Sequence, residues 1–217
     1  MDADFWYDGR PIKFLNLQEW DYVDNALLRG MWYELPNLEY IRRLGVLGNC
    51  ADVGAYIGTH SLYLSLFCLS STVYSFEPTP SVYRRLVANL EANGVKNAVT
   101  YNLALGDCEG WGKEEACDPA RIGSRSGARF VSCDDDADAV KQVTLDSLHL
   151  DIDLLKIDVE GQELAVLEGA QVTLENVKHL FVEIWPERVG KTETPLHQAG
   201  FKLKTKLEED LYHFEKR

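Results

Sequence analysis

Asp52-Val-Gly-Ala-Tyr-Ile-Gly-Thr-His-Ser61 is the stretch on which the reading of this chain turns. It follows a short apolar run, Val46 to Val53 with Gly48 and Asn49 interrupting, and leads into a helix-like segment, Ser61–Ser70. A strand that ends in Asp-x-Gly and turns through two glycines lays bare backbone beside whatever binds there. The helix that follows points its N-terminus at the ligand. At the carboxyl edge of a parallel sheet, such a turn holds a nucleotide-like molecule. Spacing removes two alternatives. A dinucleotide fingerprint needs Gly-x-Gly-x-x-Gly, whereas only Gly54 and Gly58 are present. A P-loop needs Gly-Lys-Ser/Thr, but Thr59 and His60 follow Gly58.

A second clue lies downstream. Thr72–Phe76 reads as a strand ending at Glu77-Pro78, 23 residues beyond Gly54. A carboxylate at the tip of the second strand accepts hydrogen bonds from both hydroxyls of a ribose and disfavours a 2′-phosphate. The plainer reading of Glu77 is a helix-capping carboxylate ahead of Pro78 and Thr79. The ribose reading points to an adenosine-type cofactor without a triphosphate, which S-adenosylmethionine fits best.

A chain of 217 residues suits one domain with a full core, and 46% hydrophobic residues agree with a globular protein. No apolar run approaches the ~20 residues that span a bilayer. The acidic, aromatic start Met-Asp-Ala-Asp-Phe-Trp-Tyr-Asp is unlike a signal peptide, so a cytoplasmic location is expected. A net charge of −13 argues against nucleic acid or an anionic membrane as partner. Five cysteines without a Cys-x-x-Cys pair read as free thiols rather than a zinc site or a disulfide framework.

Strands alternate with helices along most of the chain. Helices are expected over Asn16–Arg29 and Leu38–Leu44, making residues 1–45 an N-terminal helical segment, with the core over 46–217. Strand 46–52, helix 59–70, strand 72–76, helix 80–93 and strand 98–105 follow. Then come strand 154–159, helix 162–175, strand 179–185 and a closing antiparallel pair, 201–207 with 211–215. This order predicts an α/β fold, a Rossmann-like doubly wound seven-stranded sheet, mostly parallel. Residues 106–142 break the rhythm and are expected to form a substrate-side insertion, either a flap or partly disordered. Asp134-Asp135-Asp136 within it reads as a solvated charge run.

Leu154-Leu-Lys-Ile-Asp-Val-Glu-Gly161 places charge where a buried strand meets a turn. Period-two alternation puts Lys156 and Asp158 on one face and Leu155 and Ile157 on the other. Parallel central strands are usually apolar throughout, so the two charges need a reason. Glu183, in Phe-Val-Glu-Ile-Trp, reaches a similar height on the next strand, so Lys156, Asp158 and Glu183 converge at the sheet's mouth. A buried ion network that merely joins two strands is the competing reading.

These motifs together resemble the FkbM-type S-adenosylmethionine-dependent methyltransferases. The resemblance rests on Asp52-Val-Gly-Ala-Tyr-Ile-Gly58, Phe76-Glu-Pro78, Asn102-Leu-Ala-Leu-Gly-Asp107 and Thr144-Leu-Asp-Ser-Leu148. It continues through Leu155-Lys-Ile-Asp-Val-Glu-Gly161 with Glu163, Leu167-Glu-Gly-Ala170 and Val182-Glu183, covering roughly residues 20–187. Tyr56 departs from the Asn more common in that loop. The resemblance implies the class I methyltransferase fold and O-methylation of a hydroxyl on a sugar or a polyketide-like natural product. A secondary-metabolite or lipid hydroxyl is the alternative acceptor. A catalytically silent cofactor-binding or scaffolding domain is the alternative of another class, and Lys156, Asp158, Glu160 and Glu183 together weigh against it.

Under that resemblance Asp52, Gly54, Tyr56 and Gly58 line the methionine end of the cofactor, Glu77 takes the ribose, and Ala104 and Leu105 flank the adenine. Asp158 is the first candidate for the base that accepts the hydroxyl proton, Glu183 the second, with Lys156 orienting both. His60, in the first turn after the glycine loop, is a further candidate, or else a polar first-turn residue. Two carboxylates at adjacent strand tips can also hold Mg²⁺, although the metal-free reaction is favoured. Trp185 is expected to stack on a sugar ring or to sit in the core. Arg125, with Arg121 and Arg129, is a candidate grip for an anionic group, and a solvated loop explains these arginines equally well. Trp32-Tyr33-Glu34 matches an aromatic-glutamate pair common in that family, in which Glu34 is a candidate cap on the cofactor pocket, although it is read first as a helix-terminus residue. The four other histidines are read as structural.

Overall fold

The computed structural model describes residues 1–116, 128–132 and 139–216. The chain opens with an element that the sequence reading lacks. β1 (Ala3–Tyr7) and β2 (Arg10–Phe14) form an antiparallel hairpin across Asp8 and Gly9, whose φ angles are 48° and 78°. Two left-handed residues match the twist of the flanking strands, and Asp-Gly supplies them at low steric cost. The two helices follow as α1 (Tyr22–Leu28), shorter than expected, and α2 (Leu35–Arg43), which starts three residues earlier than expected and carries Pro36 in its first turn. Asp21 caps α1 by accepting a hydrogen bond from Asp24 N at 3.1 Å.

The Rossmann-like core then runs β3 (Cys50–Val53), α3 (Thr59–Phe67), β4 (Val73–Phe76), α4 (Pro80–Ala92) and β5 (Ala98–Tyr101). The single strand expected over 98–105 divides at Asn102. Its second half, β6 (Ala104–Leu105), joins a small sheet with β7 (Gly110–Ala116), β8 (Ala128–Ser132) and β9 (Val140–Val143), in the order β6-β9-β7-β8. The expected flap over 106–142 therefore contains strands in its described part; Asp134-Asp135-Asp136 lies outside the described residues.

The chain returns to the main sheet through β10 (Leu154–Ile157), α5 (Glu163–Glu168), α6 (Thr173–Asn176), β11 (His179–Glu183), α7 (Val189–Gln198), β12 (Lys202–Lys206) and β13 (Leu211–Glu215). The helix expected over 162–175 breaks at Gly169, where a Cβ would lie 1.9 Å from Gly106 O. Asp146 starts the second piece by accepting from Thr173 N and Oγ1 at 2.7 and 2.8 Å. Helix α7 has no counterpart in the sequence reading, since Pro186 and the internal Pro195 weigh against a helix there.

The main sheet has seven strands in the order β12-β13-β11-β10-β3-β4-β5, all running one way except β13, which is antiparallel to both β11 and β12. This is the class I methyltransferase arrangement. One face is apolar along its centre: Ala51, Val53, Leu155, Ile157, Leu180 and Val182 pack under α5, α6 and α7. Each such side chain, fully buried, contributes roughly 1.5–3 kcal/mol if it is Val, Leu or Ile. Polar groups interrupt the opposite face, which α2 and α3 cover. Among the described residues no helix is long and apolar enough to cross a membrane.

Candidate active site

In-register pairing sets Ser75, Asp52, Lys156, Phe181 and His213 side by side across five strands. Lys156 is 3% exposed. Its Nζ lies 3.2 Å from Asp52 Oδ1 and 3.1 Å from Asp158 Oδ2, and reaches Gly54 O at 3.4 Å. Burial disfavours the charged amine, but the carboxylates of Asp158, Asp52 and Glu34 outweigh it and hold Lys156 above the usual lysine range. Burial likewise pushes Asp52 up, and Lys156, His60 and Ser61 more than reverse this, leaving it below the usual carboxylate range. Ser61 Oγ donates to Asp52 Oδ2 at 2.6 Å and Ser75 Oγ donates to Ser61 Oγ at 2.7 Å. Asp52 Oδ1 has no aligned hydrogen bond among the described residues, so its contact with Lys156 is an ion pair held by charge.

The glycine loop packs directly on this pair. Gly54 has φ 79°, and a Cβ there would lie 1.7 Å from Asp158 O, so only glycine permits the approach. Gly54 N and Ala55 N donate to Phe76 O at 3.0 and 2.9 Å, which ties the loop to the end of β4. Glu77, one residue on, accepts from Tyr56 N at 3.0 Å and from Thr79 N at 2.8 Å. It thus braces both the glycine loop and the start of α4. Asn102 Nδ2 donates to Glu77 O and Pro78 O at 2.9 and 2.7 Å, a bond made possible by the break between β5 and β6.

A cavity of about 300 Å³ opens at these strand ends. Of the residues singled out from sequence, Gly54, Tyr56, His60, Glu77, Ala104, Leu105, Lys156, Asp158 and Glu183 line it. Asp52 and Gly58 stand behind its wall. Asp52 is buried beneath Lys156, and Gly58, with φ 92°, opens α3 against Leu86. Trp185 is absent from the lining, its ring 4.9 Å from the Arg188 guanidinium. Arg125 and Arg121 lie outside the described residues, as does the side chain of Arg129. Sequence reasoning missed Asp21, Tyr22, Tyr33 and Glu209, which also line the cavity. The first three are carried by the start of α1 and the approach to α2. Glu209 comes from the β12–β13 turn, which Asn37 grips by donating to Glu208 O and accepting from Glu208 N, both at 3.1 Å.

Charge in the cavity is strongly one-sided. Glu34 Oε2 faces His60 Nε2 at 3.2 Å. Burial pushes Glu34 up, but His60 and Lys156 bring it below the usual range. Glu34 stands at the N-cap position of α2, as expected, but makes no side-chain capping bond there, and it also lines the cavity. Glu183 behaves oppositely. Burial, then Asp158, Glu160 and Glu163, raise its carboxyl well above the usual range, and it keeps its proton at neutral pH. Among the described residues no group of three or more His, Cys, Asp or Glu side chains is placed to hold a metal ion.

A seven-stranded sheet with its cavity at the carboxyl ends of β3, β4 and β10 defines a class I methyltransferase. The profile of the Methyltransferase FkbM domain matches residues 52–203, and the chain belongs to that family. The hexuronic acid methyltransferase AglP of Haloferax volcanii is 32% identical over 142 residues, covering 61% of this chain and 54% of that protein. The AMB antimetabolite synthetase AmbE of Pseudomonas aeruginosa is 27% identical over 85% of this chain, which spans 10% of its length. Among solved structures, the methyltransferase FkbM from Methylobacillus flagellatus aligns with a TM-score of 0.57 at 16% identity, over 89% of this chain and 52% of that one. A putative RNA methyltransferase, PH1948 of Pyrococcus horikoshii, aligns with a TM-score of 0.51 at 15% identity over 94% of this chain and 91% of that one. These two likenesses concern the fold.

Proposed function

We propose that this chain is an S-adenosylmethionine-dependent O-methyltransferase acting on a sugar hydroxyl. The observation that carries the reading is the Asp158 carboxylate, held 3.1 Å from a buried, charged Lys156 in backbone contact with the glycine loop. The residues suit an adenosyl cofactor. Gly54 offers bare backbone, Glu77 a carboxylate at the strand tip, Ala104 and Leu105 an apolar flank for a base, and the carboxylate-rich wall suits a sulfonium. When bound, S-adenosylmethionine supplies a methyl group on positively charged sulfur.

The protein's own part is positioning and proton transfer. As the acceptor oxygen takes the methyl, its proton passes to Asp158. Lys156 fixes the orientation of that carboxylate. Glu183, already protonated at neutral pH, serves as a hydrogen-bond donor beside Asp158 and leaves it the role of base. The name of the Haloferax relative, a hexuronic acid methyltransferase, supports a sugar acceptor.

The test combines mass spectrometry of a glycoside panel for an added methyl with an Asp158→Asn variant. We expect turnover to fall by about 10²–10⁴ while cofactor affinity changes little. Full activity of the variant removes Asp158 as base, and failure to bind S-adenosylmethionine in calorimetry removes the reading altogether. A chelator that stops the reaction would replace the metal-free reading with one that requires a divalent cation.

A further inference from the structure

The cavity holds two aromatic rings that the function above does not use. Tyr22 is 61% exposed yet lines the cavity, and it meets Tyr33 edge to face with ring centroids 5.8 Å apart. Both precede Asp52, where the family match begins. The carboxylates of Glu34, Asp158 and Glu209 surround Tyr33. An exposed aromatic face beside hydrogen-bond acceptors is the chemistry that receives a sugar ring, with C–H groups on the ring face and hydroxyls at its edge.

One side chain fastens this pair to the glycine loop. Tyr56 OH donates to Asp21 Oδ2 at 2.8 Å, while Asp21 Oδ1 caps α1 and Tyr22 is the first residue of that helix. Tyr56 itself is held at φ 50° by its N–H bond to Glu77, and Arg85 stands 5.8 Å over its ring. Arg85 in turn pairs with the buried Asp24 of α1. The connection runs unbroken from Glu77 through Tyr56 and Asp21 to Tyr22.

We propose that the exposed Tyr22 ring, buttressed by Tyr33 at right angles to it, forms the platform on which a pyranose acceptor lies, and that Tyr56 is the positioning residue that sets this platform against the cofactor loop. The proposal rests on the sugar-methyltransferase reading and assigns its specificity to a segment preceding the family match. It gives to Tyr22, backed by Tyr33, the stacking role that the sequence suggested for Trp185.

Saturation-transfer NMR tests it on the full chain with S-adenosylhomocysteine present. The probes are methyl glycosides of glucose, galactose, mannose, xylose, rhamnose and glucuronic acid, with glycerol as the ring-free control. The wild type should bind at least one glycoside through ring-face protons and glycerol not at all. Tyr22→Ala should weaken that binding about tenfold, and Tyr22→Phe should restore it. Tyr56→Phe, which removes only the hydroxyl, should raise the acceptor KM with little change in kcat, and speed amide exchange over residues 21–28. The proposal is overturned if no glycoside binds, if glycerol binds equally well, or if Tyr22→Ala and Tyr33→Ala both keep wild-type affinity. Loss of S-adenosylhomocysteine binding in the wild type would instead strike the methyltransferase reading, and the glycoside titration of the bare chain would still report on the platform.

Discussion

Two halves of one row across the sheet bury titratable groups and resolve them oppositely. On the β3–β10 side, Asp52 and Lys156 are buried as ions, each held charged by the other and by neighbours. On the β11–β13 side, His213 is fully buried, its ring stacked on Phe181 with centroids 4.4 Å apart. Its two nitrogens meet Tyr40 OH at 2.9 Å and His179 Nδ1 at 3.2 Å. Burial, then His179, push His213 down to about 4, so it stays neutral. The backbone environment is shared, and only the partners differ. A buried charge persists where opposite charges surround it, and the neutral form prevails where they do not. The charged half backs onto the cavity. The neutral half is closed by α2 and serves packing.

Breaking the charged half should have the largest effect. Lys156→Met strands Asp52 in the core without its counter-ion, at a cost of roughly 3–5 kcal/mol in urea unfolding, with loss of turnover. Replacing Asp52 and Lys156 together by apolar residues should recover much of the stability and none of the activity. A single variant of wild-type stability would show that this pair is not the charged unit described.

The neutral half sharpens the contrast through pH. The His213 pKa is lower in the folded chain, about 4, than the 6.5 of an ordinary histidine. Between these values the unfolded chain binds more protons, so stability is lost as pH falls from 6.5 toward 4, by on the order of 3 kcal/mol at most. Asp52 and Glu34, lowered in the fold, lose their contribution only at more acid pH. Lys156, raised, loses its contribution only above the usual lysine range. His213→Phe should shrink the loss in the 4–6.5 window to the part that His179, also lowered by burial, contributes, and leave the acid limb in place. An unchanged curve would mean that His213 is protonated in the fold.

Glu183 tests the same balance with the opposite pH slope. Its raised carboxyl disfavours folding once pH exceeds the ordinary glutamate range, because the unfolded chain then ionises where the folded one does not. Glu183→Gln should therefore gain up to about 3 kcal/mol at pH 7 and nothing at pH 4, measured by thermal unfolding. Equal stability at both pH values would place an ionised glutamate at this strand tip.

Much of the fold was legible because its signals are local. Alternating strand and helix patterns, the Gly54–Gly58 turn and the apolar Leu155 and Ile157 each report on a few adjacent residues. The hairpin at Asp8-Gly9 is equally local, but its two five-residue strands, Ala-Asp-Phe-Trp-Tyr and Arg-Pro-Ile-Lys-Phe, lack a clean apolar alternation. Helix α7 was hidden by its prolines. The site was legible where its residues sit at the tips of core strands, as Glu77, Asp158 and Glu183 do. Tyr22, Tyr33 and Glu209 carry no such mark, for they reach the cavity from a helix start, a loop and a hairpin turn.

The sequence by itself determined the parallel sheet, the glycine loop and the charged strand tips, because period, turn chemistry and misplaced polarity are properties of neighbours along the chain. Only the tertiary structure decided which carboxyl is raised, since that depends on burial and on carboxylates from β11, the turn after β10 and α5 meeting at one place. It also decided which aromatics face the cavity. Tyr22 and Trp185 are equally aromatic in the sequence, and contacts made across 35 to 171 positions, at Asp21–Tyr56 and Asn37–Glu208, determine what surrounds the cavity.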